Sequence, residues 1–149
     1  MKKVMLILSL LTAFSIKGFA QGTEEEAVKK VLQEYKSAIE KLSTAGVVDL
    51  FVAKSEVIES GKIEGTIAAY LDHHLGPELK EFKSFTFSNY TSKVEVDGNY
   101  AFATEDYIYT IVLKDGKEIK QKGVASSVLQ KTGQSWKIKS THSSARRSK

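Results

Sequence analysis

From Phe85 to the C-terminus the chain reads as four long strands in succession, and this constrains the fold more than any other feature. The segments "FTFSNYTSKVEV", "YAFATEDYIYTIVL", "EIKQKGVASSVLQK" and "SWKIKSTHSSAR" are rich in β-branched and aromatic residues. Only "DGN", "KDGK" and "TGQS" separate them. Short Gly-bearing connections of this kind close antiparallel hairpins, so the second half is expected to be an antiparallel meander.

The first half has the other periodicity. Thr23 and Glu26 have capping-box spacing, and Glu24 to Glu26 place negative charge at a helix start. Val28, Val31, Leu32, Tyr35, Ile39 and Leu42 then form one apolar stripe at helical spacing, which predicts a long helix ending near Gly46. "VVDLFV" is a short second helix at best, and "SEVIESG" reads as a strand that closes at Gly61. Thr66 is placed to cap a third helix with Ile67, Tyr70, Leu71 and His74 on one face. Gly76 and Pro77 are expected to stop it, with Gly76 at positive φ and "PELKEF" giving one further turn. Helices followed by an antiparallel meander make an α+β fold, and residues 21–149 suit a single domain.

Residues 1–20 read differently. "MKK" is a basic start, "VMLILSLLTAFSI" is an apolar run, and "GFA" supplies small residues before Gln21. The run falls short of the ~20 apolar residues that span a bilayer. Met1 to Ala20 is therefore expected to be a removed secretion signal, leaving a periplasmic or secreted protein without a stable membrane anchor. The chain has no cysteine, which excludes disulfides, thiolate metal ligands and attachment of lipid through an N-terminal Cys.

Removing the signal takes away Lys2, Lys3 and Lys17, so the 22 Lys and Arg fall to 19 against 18 Asp and Glu. After Glu118 the chain is only basic, but Lys137 and Lys139 alternate with Trp136 and Ile138, as on the wet face of a strand. No basic motif interleaved with aromatics and no helix-turn-helix pattern appears, so nucleic acid is not an expected partner.

The order of elements, ending in the "WKIKSTHSSARR" strand and carrying "VIESG" and "HHLGPELKEFKSF", resembles the SnoaL-like, or nuclear transport factor 2-like, superfamily, and in particular its exported bacterial members. The resemblance covers nearly all of the chain after Ala20. It implies a curved antiparallel sheet wrapped as a cone around the N-terminal helices. Members of this superfamily include steroid isomerases, polyketide cyclases, dehydratases and non-catalytic binding modules, and many dimerise through the sheet face. The Tyr/Asp and His/Asp pairs of the isomerases and cyclases have no convincing counterparts at matching positions here.

Alternation along the last strand puts Trp136, Ile138, Ser140, His142 and Ser144 on one side and Lys137, Lys139, Thr141 and Ser143 on the other. The Trp and Ile mark the first side as the inside, so His142 is expected to face inward. His74 shares the inward stripe of the third helix with Tyr70, while His73 falls off it, at the rim or capping a carbonyl. Glu59 ends the first strand. Glu105 and Asp106 interrupt an apolar strand, and bulges can reset parity, so the sequence leaves open which of them looks inward. Tyr107 and Tyr109 are compatible with core or pocket wall, with core the default for both.

The expected ligand-binding set is thus His74, His142, Glu59, Tyr70, Glu105 and Trp136. The trio His74, His142 and Glu59 has the ligand types for a metal, but no metal-binding spacing accompanies it. With no P-loop, nucleophile elbow or dinucleotide fingerprint, no cofactor is expected. The preferred reading is a small-molecule-binding domain without assigned chemistry. A cofactor-free isomerase, cyclase or hydrolase using an inward His–acid pair is compatible with the same residues, and so is a homodimerising interaction module.

Overall fold

The computed structural model describes residues 22–147. The expected secretion signal at Met1 to Ala20 lies outside them.

Helix α1 spans residues 22–40. Gly22 and Thr23 are already helical, so Thr23 is not the cap that its spacing to Glu26 suggested. The stripe behaves as expected: Val28 and Leu32 are fully buried, and Val31, Tyr35 and Ile39 pack against the core from its margin. The helix stops before Gly46. Leu42 takes φ 52°, its N–H bonds the Ile39 carbonyl at 2.9 Å, and the Ser43 N–H reaches back to Ala38 at 3.0 Å. Those two bonds satisfy carbonyls left over at the helix end, here with a leucine where glycine is usual.

A 3₁₀ turn at Val47–Leu50 leads into β1 (Phe51–Glu59) and the short β2 (Lys62–Gly65), a strand not foreseen from sequence. Thr66 then caps α2 (Ile67–Tyr70) by accepting from the Ala69 N–H, and the buried Ser55 hydroxyl accepts from the Ile67 N–H at 3.0 Å. The helix does not stop at Gly76. It widens into a π turn over Leu71–Leu75 and runs on as α3 (Gly76–Glu81), with Gly76 at φ −62° and ψ −47°. Pro77 explains the widening. In a regular α-helix its ring would strike the carbonyl four residues back, and an extra residue in the turn relieves that clash. Glycine is needed at position 76 because the backbone approaches itself there, not for a positive φ: a Cβ would lie 2.2 Å from the Leu71 carbonyl oxygen.

The long strands are β3 (Phe82–Asp97), β4 (Tyr100–Leu113), β5 (Glu118–Thr132) and β6 (Ser135–Arg147). They form an unclosed, curved six-stranded sheet in the order β2-β1-β6-β5-β4-β3, antiparallel except where β6 lies parallel to β1. One end of the sheet closes over α1. There Val28, Leu32, Phe51, Leu129, Trp136 and Ile138 make a core in which each is at most 4% exposed. Trp136 belongs to this core, and its indole N–H donates to Glu24 of α1 at 2.6 Å, beside the Lys131–Glu24 ion pair.

Two bulges decide what faces inward. Between β5 and β6, Val128 pairs with Ser140 but Leu129 pairs with Ile138, so Lys139 is the extra residue and the alternation flips after it. Thr141 is buried and His142 exposed, which corrects the expectation that His142 faces inward. In β3 the register shifts between Ser88 and Thr91, with Asn89 at φ 52°. That shift turns Tyr90 inward beside Glu105. The pairing of β4 with β5 runs without interruption from Tyr100 to Val112, so Ala101, Ala103, Glu105, Tyr107 and Tyr109 share the inner side. Glu105 is therefore the inward acid, and Asp106 lies outside, 3.2 Å from Lys122.

Candidate functional site

At the end of the cone away from the Trp136 core, the sheet and helices do not meet, and a cavity of about 320 Å³ remains between them. Its broad wall is aromatic and comes from β3 and β4. Phe85 stacks on Tyr109 with ring centroids 5.3 Å apart, and Phe87 meets Tyr107 edge-on at 5.1 Å. Tyr90 lies parallel to Tyr107 at 6.4 Å. Such offset and edge-to-face pairs are favourable ring geometries and support one another across the wall. Gly123 of β5 makes room for it, because Tyr107 packs where any side chain at 123 would go. The hydroxyl of Tyr109 donates to Gln121 at 3.0 Å.

Two polar ends interrupt the apolar lining. At the first, the Tyr90 hydroxyl donates to Glu105 at 2.7 Å. Burial raises the Glu105 pKa above the ordinary glutamate value, and the Tyr90 hydrogen bond and nearby Lys36 only partly oppose this. Burial also pushes the Tyr90 and Tyr107 hydroxyls well above the usual tyrosine range, so both stay protonated.

At the second end, the Tyr70 hydroxyl donates to Glu59 at 2.7 Å, and the His74 Nε2 lies 3.2 Å from the same carboxyl oxygen and 3.6 Å from Glu78. The Tyr70 and His74 rings stack at 5.3 Å. Burial, reinforced by the charges of Glu59 and Glu64, raises the Glu78 pKa, while His74 opposes the shift. Tyr70 is held protonated, chiefly by burial and then by the neighbouring Tyr35 and Glu59.

Of the residues expected to bind ligand, Glu59, Tyr70 and Glu105 line the cavity, and His74 stands directly behind Glu59. Two are not at the cavity. Trp136 is in the core, and His142 lies on the outer face, paired in register with Ile58 and Ser126. The trio His74, His142 and Glu59 is consequently not brought together. Among the described residues, no group of three His, Asp or Glu side chains is placed to hold a metal ion. His73 does not line the cavity and is half-exposed, and its partner is a carboxyl group, not a carbonyl. Its Nε2 is 2.6 Å from Glu64, whose side chain is 2% exposed and also takes a bond from Lys62. Those two bonds lower the Glu64 pKa.

Sequence reasoning missed Tyr90, Lys36, Glu78 and Thr141, and it assigned Tyr107 and Tyr109 to the core by default. No local signal marks the bulges that aim Tyr90 and Thr141. Glu78 was legible in principle, being four residues after His74 on the same helical segment.

Solved structures with a similar fold share little sequence with this chain. A nuclear transport factor 2-like superfamily protein from Salmonella enterica superposes with a TM-score of 0.76 at 22% identity, over 85% of this chain and 94% of that one. A protein from Streptomyces avermitilis, proposed to be a dehydratase of the same family, gives 0.73 at 19% identity, over 85% and 98%. A hexachlorocyclohexane dehydrochlorinase gives 0.72 at 12% identity, over 83% and 86%. No functionally curated protein matches the sequence. The family model for the SnoaL-like domain matches residues 28–147, the stretch that builds both the cone and its cavity, and the chain belongs to that family.

Proposed function

We propose that the protein binds a small, largely apolar ring compound inside the cone. The observation that carries this reading is the cavity: about 320 Å³, with one wall of five mutually packed aromatic rings and, among its polar groups, two hydroxyl–carboxyl pairs, Tyr70–Glu59 and Tyr90–Glu105. That is the usual make-up of a small-molecule site, in which apolar walls supply affinity and a few polar groups fix orientation.

A second reading is favoured by the two ends themselves. Glu105 is biased toward its protonated form by burial, whereas Glu59 faces the cavity between Tyr70 and His74. One carboxyl suited to donate and another backed by an imidazole could move a proton on a bound carbonyl or hydroxyl compound without a cofactor. The names dehydratase and dehydrochlorinase among the structural neighbours are consistent with chemistry of that kind.

One experiment addresses both readings. Single-ring compounds, neutral and charged, are titrated into ¹⁵N-labelled protein in D₂O–H₂O mixtures. Binding in the cone is expected to shift the amides of Tyr90, Glu105 and Tyr107 and to leave those of Asp106 and His142 in place. A probe at 100 times its dissociation constant should stabilise the fold by about 2.7 kcal/mol. Shifts confined to the outer face would overturn the cavity reading. Deuterium appearing at carbon in an enolisable probe such as cyclohexenone would favour catalysis, and a probe recovered unlabelled would favour binding alone.

Export is proposed on the sequence pattern of residues 1–20. Protein recovered from the periplasm of a Gram-negative host is expected to begin at Gln21 by mass spectrometry. An intact Met1 chain held in the membrane would refute it.

A further inference from the structure

We infer that the compound bound in the cone carries a positive charge, a substituted ammonium attached to or near a ring, held between the aromatic wall and the carboxyl groups of Glu59, Glu78 and Glu105. This rests on the cavity being the binding site. Three features of the lining point the same way.

The lining is acidic in excess. Glu59, Glu78 and Glu105 reach it, and among the described residues the one basic side chain that does so is Lys36. Lys36 already has a partner, with its Nζ 3.2 Å from Glu40, and Glu40 in turn accepts the Phe87 N–H at 3.0 Å. A carboxylate ligand would meet three acids and no free cation. A neutral ligand would leave the acids uncompensated in an apolar surround, which is costly for any of them that is ionised.

The ring faces suit a cation. Lys36 Nζ lies 5.4 Å from the Phe87 ring centroid and 5.3 Å from that of Tyr90. The protein's own ammonium group therefore uses two rings of this wall in the way a ligand ammonium would, attracted by the negative potential over the ring face. Tyr107 and Tyr109 extend the same wall, and their hydroxyls stay protonated. They add ring faces without adding charge.

The acids are also poised to respond. Burial raises the pKa of both Glu78 and Glu105, so in the empty cone each is biased toward its neutral form. A cation beside them reverses that bias and is bound more tightly once they ionise. His74, 3.2 Å from Glu59 and 3.6 Å from Glu78, is a further neighbour at that end, and Glu64, bonded by His73 and Lys62, adds its negative charge to the surroundings of Glu78. Tyr35, Tyr70 and Tyr90 stay protonated, so they do not oppose that ionisation.

The test uses benzyltrimethylammonium, its uncharged carbon isostere neopentylbenzene, and phenylacetate, with binding measured by calorimetry on the parent chain. The ammonium compound is expected to bind about tenfold more tightly than the isostere, and phenylacetate more weakly than either. Its charge does not change with pH, so a rise in its affinity as pH increases above the ordinary glutamate range reports the protein's own raised carboxyl groups. In Glu59→Gln and Glu105→Gln, which keep size and shape, the preference over the isostere should shrink while isostere binding persists. Equal or tighter binding of neopentylbenzene by the parent would overturn the cationic ligand and leave the cavity reading intact. Retention of the full preference in both Gln variants would also overturn it. Failure of all three ring compounds to bind would remove the cavity reading together with this one.

Discussion

Gly76→Ala is expected to destabilise the fold by about 3 kcal/mol, although helix propensity alone predicts the opposite sign. Gly76 has ordinary helical dihedrals, and at such a position alanine normally gains up to about 1 kcal/mol over glycine. Here the gain is overridden by contact. The π turn brings the Leu71 carbonyl oxygen to 2.2 Å from where the new methyl group would stand, and that oxygen accepts the Gly76 N–H. Main-chain atoms in a turn hemmed by Leu75 and Leu79 of the core cannot give way as a long side chain can. Overpacking of this kind costs about 1–3 kcal/mol, and a clash with backbone belongs at the upper end. Urea unfolding followed by circular dichroism measures it: a lower midpoint at unchanged slope is expected. A midpoint at or above that of the parent would mean that the helix passes Pro77 without a π turn, and the positions of His73 and His74 would then have to be redrawn.

The second large effect is expected at Gly123, which opposes Tyr107 across the β4–β5 pair. A Cβ there would lie 2.3 Å from the Tyr107 Cε2 and 3.0 Å from two further ring atoms. The ring cannot slide sideways, because Phe87 stands edge-on at 5.1 Å and Tyr109 lies at 6.3 Å. It can only lift into the cavity. Gly123→Ala should therefore cost about 1–3 kcal/mol and weaken binding of any ring compound the parent takes up by tenfold or more. The two effects share one cause, so they should be strongly non-additive with trimming of the ring. In a Tyr107→Leu background the same Gly123→Ala change should cost little stability. Unchanged probe affinity in the single variant would show that Tyr107 does not form the wall of the site.

The same residues show what was readable in advance. The stripe of α1, the capping by Thr66, the three hairpins and the assignment of Trp136 and Ile138 to the inside all follow from spacing, because side-chain direction in a helix or strand is a local consequence of backbone dihedrals. The shared face of Tyr70 and His74 was legible for that reason too, whereas their meeting with Glu59 depends on which strand packs beside the helix.

Tertiary structure decided the rest, where one residue more or less in a ladder changes every side chain after it. Trp136 was rightly read as inward, and His142, six residues on, was not, since the extra Lys139 opposite Val128 and Leu129 reverses the alternation between them. Nothing in "WKIKSTH" marks that position. It is set by how β6 must bend to pair with β5 on one side and β1 on the other, and bulges are how a strand accommodates such bending. Glu105 and Asp106 could not be ranked until the unbroken β4–β5 register did so, and Tyr90 reaches Glu105 only through a second bulge in the neighbouring strand. Local spacing determined which residues form the elements and the core. The register between strands, which depends on partners far away in the chain, determined which of them face the cavity.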